Sequence, residues 1–336
     1  MGCKTQKALL HASCCIPECN VLPNNAVERE TLYTWDMPVE YSRPRVSLLI
    51  TDLDNTLWDW VHAWHASFDT LLSGLEKFTG IQRAQLEAEA RVVHQARRTS
   101  EYSWLLFEMP SILEFCDGKD PFQVLDDVIH AQNSVRLRET SLYPGVLNTL
   151  KTVKKAGVPV LTYTESQSYW TKWRIGKLNL DGVIDTLYSS PDHGAPKGLN
   201  PEEKRYVPSN DMSLERTEHH HVHEGISKPN PQILSDILSE FDVPRENVLY
   251  IGDSLLKDVA MAQTVGILDA HANYGVAHER PAYQQLRKVS HWSSEDIARE
   301  RDSRPDVVPT PSYSLMRGLH EVLELFEFKP HTVNGR

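Results

Sequence analysis

From Tyr143 to Ala270, short apolar runs of strand length alternate with segments of helix length. Val158 to Thr164, Val183 to Tyr188, Val248 to Ile251 and Ile267 to Ala270 have strand character. Between them, Tyr143-Pro144-Gly145 opens a helix ending at Gly157, and Ser166 to Leu178, Asn230 to Phe241 and Lys257 to Thr264 continue the helical set. Strands separated by helical crossovers pair in parallel, with helices covering both faces of the sheet. One more strand-like run, Val46-Ser47-Leu48-Leu49-Ile50, stands apart at the front. What lies between is helical: Phe68, Leu71, Leu72 and Leu75 follow i, i+3, i+4, i+7 spacing, and Ile112, Phe115, Phe122, Val124, Leu125, Val128 and Ile129 supply further faces. The expected architecture is α/β, a doubly wound parallel sheet over 46–62 and 141–328 with an inserted α-helical domain over 63–140. Residues 1–45 form an irregular N-terminal tail and 329–336 a C-terminal one. A last strand is expected at Asp306-Val307-Val308, then an amphipathic helix carrying Leu315, Leu319, Val322 and Leu325.

The 336 residues suffice for about two domains with real cores. Acidic residues outnumber basic ones, 46 to 35, a net charge of −11. No long basic run relieves this, so nucleic acid and anionic membrane surfaces are not expected partners. An anionic substrate must then be held by a local cation, a lysine or a helix N-terminus. Of five cysteines, Cys3, Cys14, Cys15 and Cys19 crowd the tail and only Cys116 lies in the body, which fits a reducing, cytoplasmic setting. No apolar run reaches the roughly 18 residues of a membrane span.

Chemistry-bearing residues gather at the ends of the expected strands. Asp52-Leu53-Asp54-Asn55-Thr56 follows the first strand, where open α/β sheets place their ligands. One aspartate there can act as a nucleophile and its neighbour as a general acid and base. A carboxylate attacking a phosphate dianion needs its charge neutralised, which calls for Mg²⁺ among carboxylates. Thr164 closes the next strand, and its hydroxyl with nearby amides can hold a phosphoryl oxygen or cap the following helix. Lys228, in Ser227-Lys228-Pro229-Asn230-Pro231, offers a point charge to the same oxygens. Gly252-Asp253-Ser254, with Asp258 five residues after Asp253, completes a metal site.

These four segments, in this order, resemble the motifs of the haloacid dehalogenase-like hydrolase superfamily, with the helical block standing where its cap is inserted. The resemblance implies Asp52 as nucleophile, Asp54 as acid and base, and Thr164 and Lys228 as phosphate-binding groups. It implies Mg²⁺ held by Asp52, the backbone carbonyl of Asp54, and Asp253, with Asp258 and Ser254 supporting from behind. Dehalogenase members lack an aspartate at the position of Asp54, so its presence here favours phosphoryl chemistry. Two departures stand out. Relatives often space the second acid of the last motif at plus four, where this chain has plus five. They often carry Asn after the threonine, where this chain has Glu165, which is expected to face solvent or to meet a cationic substrate group under the cap.

Trp58, Trp60 and Trp64 either line the substrate pocket or pack cap against core, whereas Trp170 and Trp173 read as core or cap contacts. Residues 191–226 form a polar insertion ending in His219-His220-His221-Val222-His223-Glu224, read as a mobile loop, with zinc or copper as the alternative. Residues 278–305 read as a solvated surface element. The expected function is hydrolysis of a small phosphate monoester through an aspartyl-phosphate on Asp52. The alternatives are a phosphomutase or phosphotransferase using the same intermediate, or a non-catalytic binding protein.

Overall fold

Leu48, Leu49 and Ile50 are wholly buried, as a strand covered by helices on both faces must be. Each such side chain contributes about 1.5–3 kcal/mol of burial free energy. The computed structural model describes residues 42–200, 213–223, 225, 227–278, 280–295, 298 and 308–331; most of both expected tails lies outside these.

The chain begins with β1 (Arg45–Val46) and β2 (Leu48–Thr51) and then enters the helical block. There it forms α1 (Trp60–Thr79), α2 (Arg83–Arg97), α3 (Pro110–Cys116), α4 (Pro121–Val124) and α5 (Asp126–Glu139). Asp59 starts α1 by accepting from the amide of His62 at 3.0 Å, and Gly80 ends it with a left-handed φ of +76°. The alternating part follows as α6 (Val146–Lys155), β3 (Val160–Gln167), α7 (Ser168–Lys177), β4 (Thr186–Ser190), β5 (Glu218–His221), α8 (Pro231–Ser239), β6 (Val248–Gly252), α9 (Ala260–Val265), β7 (Leu268–His271), α10 (Pro281–Val289), β8 (Tyr313–Ser314), α11 (Val322–Leu325) and β9 (Glu327–Phe328).

Seven strands form one parallel sheet in the order β5-β4-β3-β2-β6-β7-β8. The chain runs outward from β2 on one side and then returns to its other side. This puts the topological switch, where such sheets bind ligands, between β2 and β6. β3 and β6 are the neighbours of β2, so Asp52, Thr164 and Asp253 stand at or near the carboxyl ends of three adjacent strands. A separate two-stranded pair joins β1 to β9, and the amide of Lys329 continues toward Val46 O at 3.0 Å.

Several expectations are corrected. The last strand of the main sheet is Tyr313–Ser314, not Asp306–Val308; Val308 is a bend, and residues 306 and 307 lie outside the described set. No continuous helix carries Leu315 to Leu325. Gly318, at φ +153°, breaks the segment, and only a short turn and α11 follow. Leu315, Leu319 and Val322 still reach the core. The histidine run is not a loop: Glu218–His221 is the edge strand β5, its His219 bonded through Nε2 to Ser189 Oγ at 2.8 Å. Residues 278–305 are not simply solvated either. Tyr283, Leu286 and Val289, three apart on α10, are buried in the hydrophobic core of the helical block against α1 and α2. The charges between them hid that face from the sequence reading.

Candidate active site

The loop after β2 is built by tight local bonding. Asp52 N donates to Ile251 O at 2.8 Å, which ties the strand end to β6. Asn55, at φ +57°, donates its amide to Trp58 O at 2.8 Å and accepts from Val61 N through Oδ1 at 3.2 Å. The loop thus turns straight into α1, and the two carboxylates fall into different surroundings.

Asp52 is buried and faces a cation. Lys228 Nζ donates to Asp52 Oδ1 at 2.7 Å and to Asp258 Oδ1 at 2.9 Å. Lys228 is itself buried and lies 5.0 Å from the Tyr163 ring centroid and 5.6 Å from that of Tyr250. Oxygens of Asp52, Asp253 and Asp258 lie within 4.8 Å of one another. Burial raises the Asp52 carboxyl to about 7; Lys228 pulls it down, while Asp258 and Asp54 push it further up. Burial, then the neighbouring Asp52 and Asp258, hold Asp253 well above the carboxylate range. Three clustered carboxylates, two of them buried and bonded to the one lysine and Asp253 half-buried, place several hard oxygen donors together. That donor set fits a divalent cation such as Mg²⁺.

Asp258 therefore stands with Asp52 and Asp253 rather than behind them. The reason is a π-turn over Leu255–Val259, in which Val259 N reaches back five residues to Ser254 O at 3.2 Å. The wider turn absorbs the extra residue of the plus-five spacing. Asp258 Oδ2 accepts from Ser254 N at 3.1 Å, and Ser254 Oγ caps the turn by accepting from Lys257 N at 3.3 Å. Gly252 is required here, because a Cβ on it would lie 2.2 Å from Asp258 Cγ.

Asp54 belongs to a second cluster. Its Oδ1 accepts from Trp58 Nε1 at 2.5 Å and its Oδ2 from Ser166 Oγ. Burial raises its carboxyl above the usual value; Arg174 opposes this and Glu101 adds to it. Arg174, on α7 and 3% exposed at its side chain, pairs with Glu101 of the helical block. Glu101 also accepts from Trp60 Nε1 at 2.9 Å, and its backbone oxygen from Trp170 Nε1 at 3.0 Å. Trp58 is thus no stacking platform: it is buried in the sheet core and its indole N–H holds Asp54.

Thr164 does not close its strand, since β3 runs on through an irregularity to Gln167; it is buried, and its Oγ1 accepts from Ser166 N at 3.1 Å. Glu165 neither faces solvent freely nor reaches toward the cap. Its Oε1 accepts from Lys228 N at 2.9 Å and its Oε2 from Lys257 Nζ at 2.7 Å, which fixes the lysine loop in place. Burial pushes its carboxyl up, but Lys257 and Lys228 outweigh that and hold it below the usual range.

Sequence reading missed Ser166, Arg174 and Glu101. Ser166, two residues past Thr164, could have been found by position; Glu101 and Arg174 meet only through the fold.

A family model described as haloacid dehalogenase-like hydrolase matches residues 46–207, and one described as HAD-hydrolase-like matches 225–290. A search of curated proteins found no match. Among solved structures, a HAD phosphatase from Thermococcus onnurineus is similar at 15% identity and TM-score 0.47, covering 85% of this chain and 100% of that one. A 2-haloacid dehalogenase from Pseudomonas syringae pv. Tomato is similar at 18% identity and TM-score 0.47, covering 83% and 97%. The magnesium-bound HAD-hydrolase YfnB from Bacillus subtilis is similar at 14% identity and TM-score 0.46, covering 84% and 99%. With both family models falling on the parts that carry its four motifs, this chain belongs to the haloacid dehalogenase-like hydrolase superfamily.

Proposed function

We propose that this hydrolase is a phosphatase acting on a small phosphate monoester. The observation that supports it most is the division of labour between two carboxylates two residues apart. Asp52 faces Lys228 and the other acids, whereas Asp54 is turned to Trp58 and Ser166 and is held above the ordinary carboxyl range. A carboxyl that keeps its proton can give it to a leaving alkoxide.

In this reading an Asp52 oxygen forms a bond to phosphorus as the ester P–O bond breaks, and Asp54 protonates the departing alkoxide. Asp54 then takes a proton from water, whose oxygen attacks phosphorus and frees the Asp52 carboxylate with inorganic phosphate. Lys228 and the Thr164 hydroxyl hold phosphoryl oxygens, where charge spreads in the transition state. Asp52, Asp253 and Asp258 would hold Mg²⁺, which supplies charge neutralisation for nucleophile and phosphate. Helices α1–α5 act as the lid that excludes bulk water. The cysteine usage and acidic charge fit a cytoplasmic setting. The test is a screen of phosphate monoesters for steady release of inorganic phosphate, with Asp52→Asn as control. Stoichiometric phosphoryl return to substrate without phosphate release would replace the reading by a mutase.

A further inference from the structure

Among the described residues β5 ends the seven-stranded sheet on one side, and three of its four residues are histidines. Alternation along a strand sends His219 and His221 to one face and His220, with Glu218, to the other. The contacts follow that division. The His220 ring stacks on Tyr188 with centroids 5.3 Å apart, and its Nε2 lies 3.0 Å from Glu218 Oε1. The His219 and His221 rings meet each other instead, with centroids 4.5 Å apart.

Hydrogen bonding fixes which nitrogen of His219 is bare. Ser189, on β4, spends its single hydroxyl proton on Ser190 O at 3.2 Å. The 2.8 Å contact with His219 is then made by the ring, whose Nε2–H donates to Ser189 Oγ. A neutral imidazole carries one N–H, so Nδ1 is left as an acceptor, and no described residue bonds to it. Burial lowers this imidazole to about 4, with His221, Lys172 and His220 adding to the effect, so it is neutral near neutral pH. His221 is exposed and bonds no described residue through either nitrogen, which leaves its ring free to turn.

A neutral imidazole anchored by a hydrogen bond at one nitrogen and open at the other is the form in which histidine ligates metals. Zn²⁺ holds imidazole nitrogen at about 2.0–2.1 Å, and Cu²⁺ and Ni²⁺ take the same ligand. Two rings that share one such ion must lie almost in contact, as these do. The groups acting most on His219 are His221, Lys172 and His220, none of them a carboxylate. The pair therefore offers nitrogen where Mg²⁺ and Ca²⁺ require oxygen.

We propose that His219 Nδ1 and His221 bind a divalent ion of the copper, nickel and zinc group, with water completing the coordination and Ser189 holding His219 in the ligating tautomer. The Lys172 ammonium opposes a cation here, which favours Cu²⁺, the strongest of the three on nitrogen donors. Strands β4 and β3 stand between β5 and β2, so the pair is three strand spacings, about 14 Å, from the strand that carries Asp52. The ion is thus distinct from the one the acid cluster would hold.

The experiment uses the full chain carrying Cys3→Ser, Cys14→Ser, Cys15→Ser and Cys19→Ser, so that tail thiolates neither bind nor reduce copper. With Mg²⁺ in excess to occupy the acid cluster, Cu²⁺ is titrated in by calorimetry and its ligands are read from nitrogen splittings in the EPR spectrum. The splittings of two imidazole nitrogens are expected. His221→Ala, at an exposed position that tolerates truncation, should lose the two-nitrogen pattern and weaken binding about 10²-fold, because one arm of a chelate is gone. Ser189→Ala should weaken it about tenfold by releasing the tautomer. His220→Ala, which removes the ring on the other face, should leave spectrum and affinity as they were. No bound Cu²⁺, a spectrum of oxygen ligands alone, a pattern unchanged in His221→Ala, or an equal loss in His220→Ala would each overturn the assignment.

Discussion

Removing the single lysine from the acid cluster should expose how much electrostatic stress the site carries. Lys228→Met keeps most of the side chain's length and apolar stem but deletes the charge that pairs with Asp52 at 2.7 Å and with Asp258 at 2.9 Å. Breaking a buried pair from one side costs about 3–5 kcal/mol, because the opposite charge stays buried. An independent bound comes from the escape open to the abandoned carboxylates, which is to take up a proton. At pH 7 that costs about 1.36 kcal/mol for each of the roughly three pH units above an ordinary aspartate value near 3.9, or about 4 kcal/mol. At pH 5 the same step costs about 1.5 kcal/mol. The sign follows: Asp52 and Asp253 already titrate above unfolded aspartates, and without the lysine they titrate higher still, so the variant gains more stability than wild type as pH falls. In metal-free buffer with chelator, Lys228→Met should unfold about 4 kcal/mol more easily than wild type at pH 7, a Tm drop of about 10 °C for a unit of this size. The gap should narrow by about 2–3 kcal/mol at pH 5. Urea unfolding at the two pH values measures both numbers. Equal stability at pH 7, or a gap that widens on acidification, would refute the picture of a charge-starved acid cluster.

Three further outcomes are expected. Gly275→Ala would set a Cβ 1.7 Å from the backbone oxygen of Asn55, an atom fixed by the loop that carries Asp54; a loss of about 3 kcal/mol or more in denaturant titration is expected, and wild-type stability would contradict the packing. The buried His94 stays neutral down to about 4 while an unfolded histidine charges below about 6.5, so stability is complete above that value. About 3 kcal/mol should be lost as pH falls between the two, and His94→Phe should flatten that slope in unfolding curves at pH 7 and 4.5. Asp54→Asn should slow turnover about 10²–10⁴-fold, with the greater loss for alkyl than for nitrophenyl esters, because a poor leaving group needs the proton most; equal losses in steady-state kinetics would remove Asp54 as the acid.

The fold class was written in the sequence because it rests on local periodicity. Leu48 to Ile50, Val248 to Ile251 and their helical neighbours each announce burial on their own, and a parallel sheet is what such alternation can build. The motif positions were legible for the same reason, since Asp52 and Asp253 sit just beyond strand ends and Thr164 just past the buried run of β3, all marked by apolar residues. The edge strand β5 was not, because a strand with one neighbour and a polar face carries no apolar run. Nor was α10, whose three buried residues are spaced among charges and gain meaning only against α1 and α2. The partners of each carboxylate were decided by tertiary structure alone. Glu165 reaches back to the lysine loop, Glu101 crosses from the helical block to Arg174, and a π-turn draws Asp258 up beside Asp52. Those pairings join residues distant in sequence or set by one turn's winding. Local pattern reports which side chains are buried, but only the folded geometry fixes which charges meet.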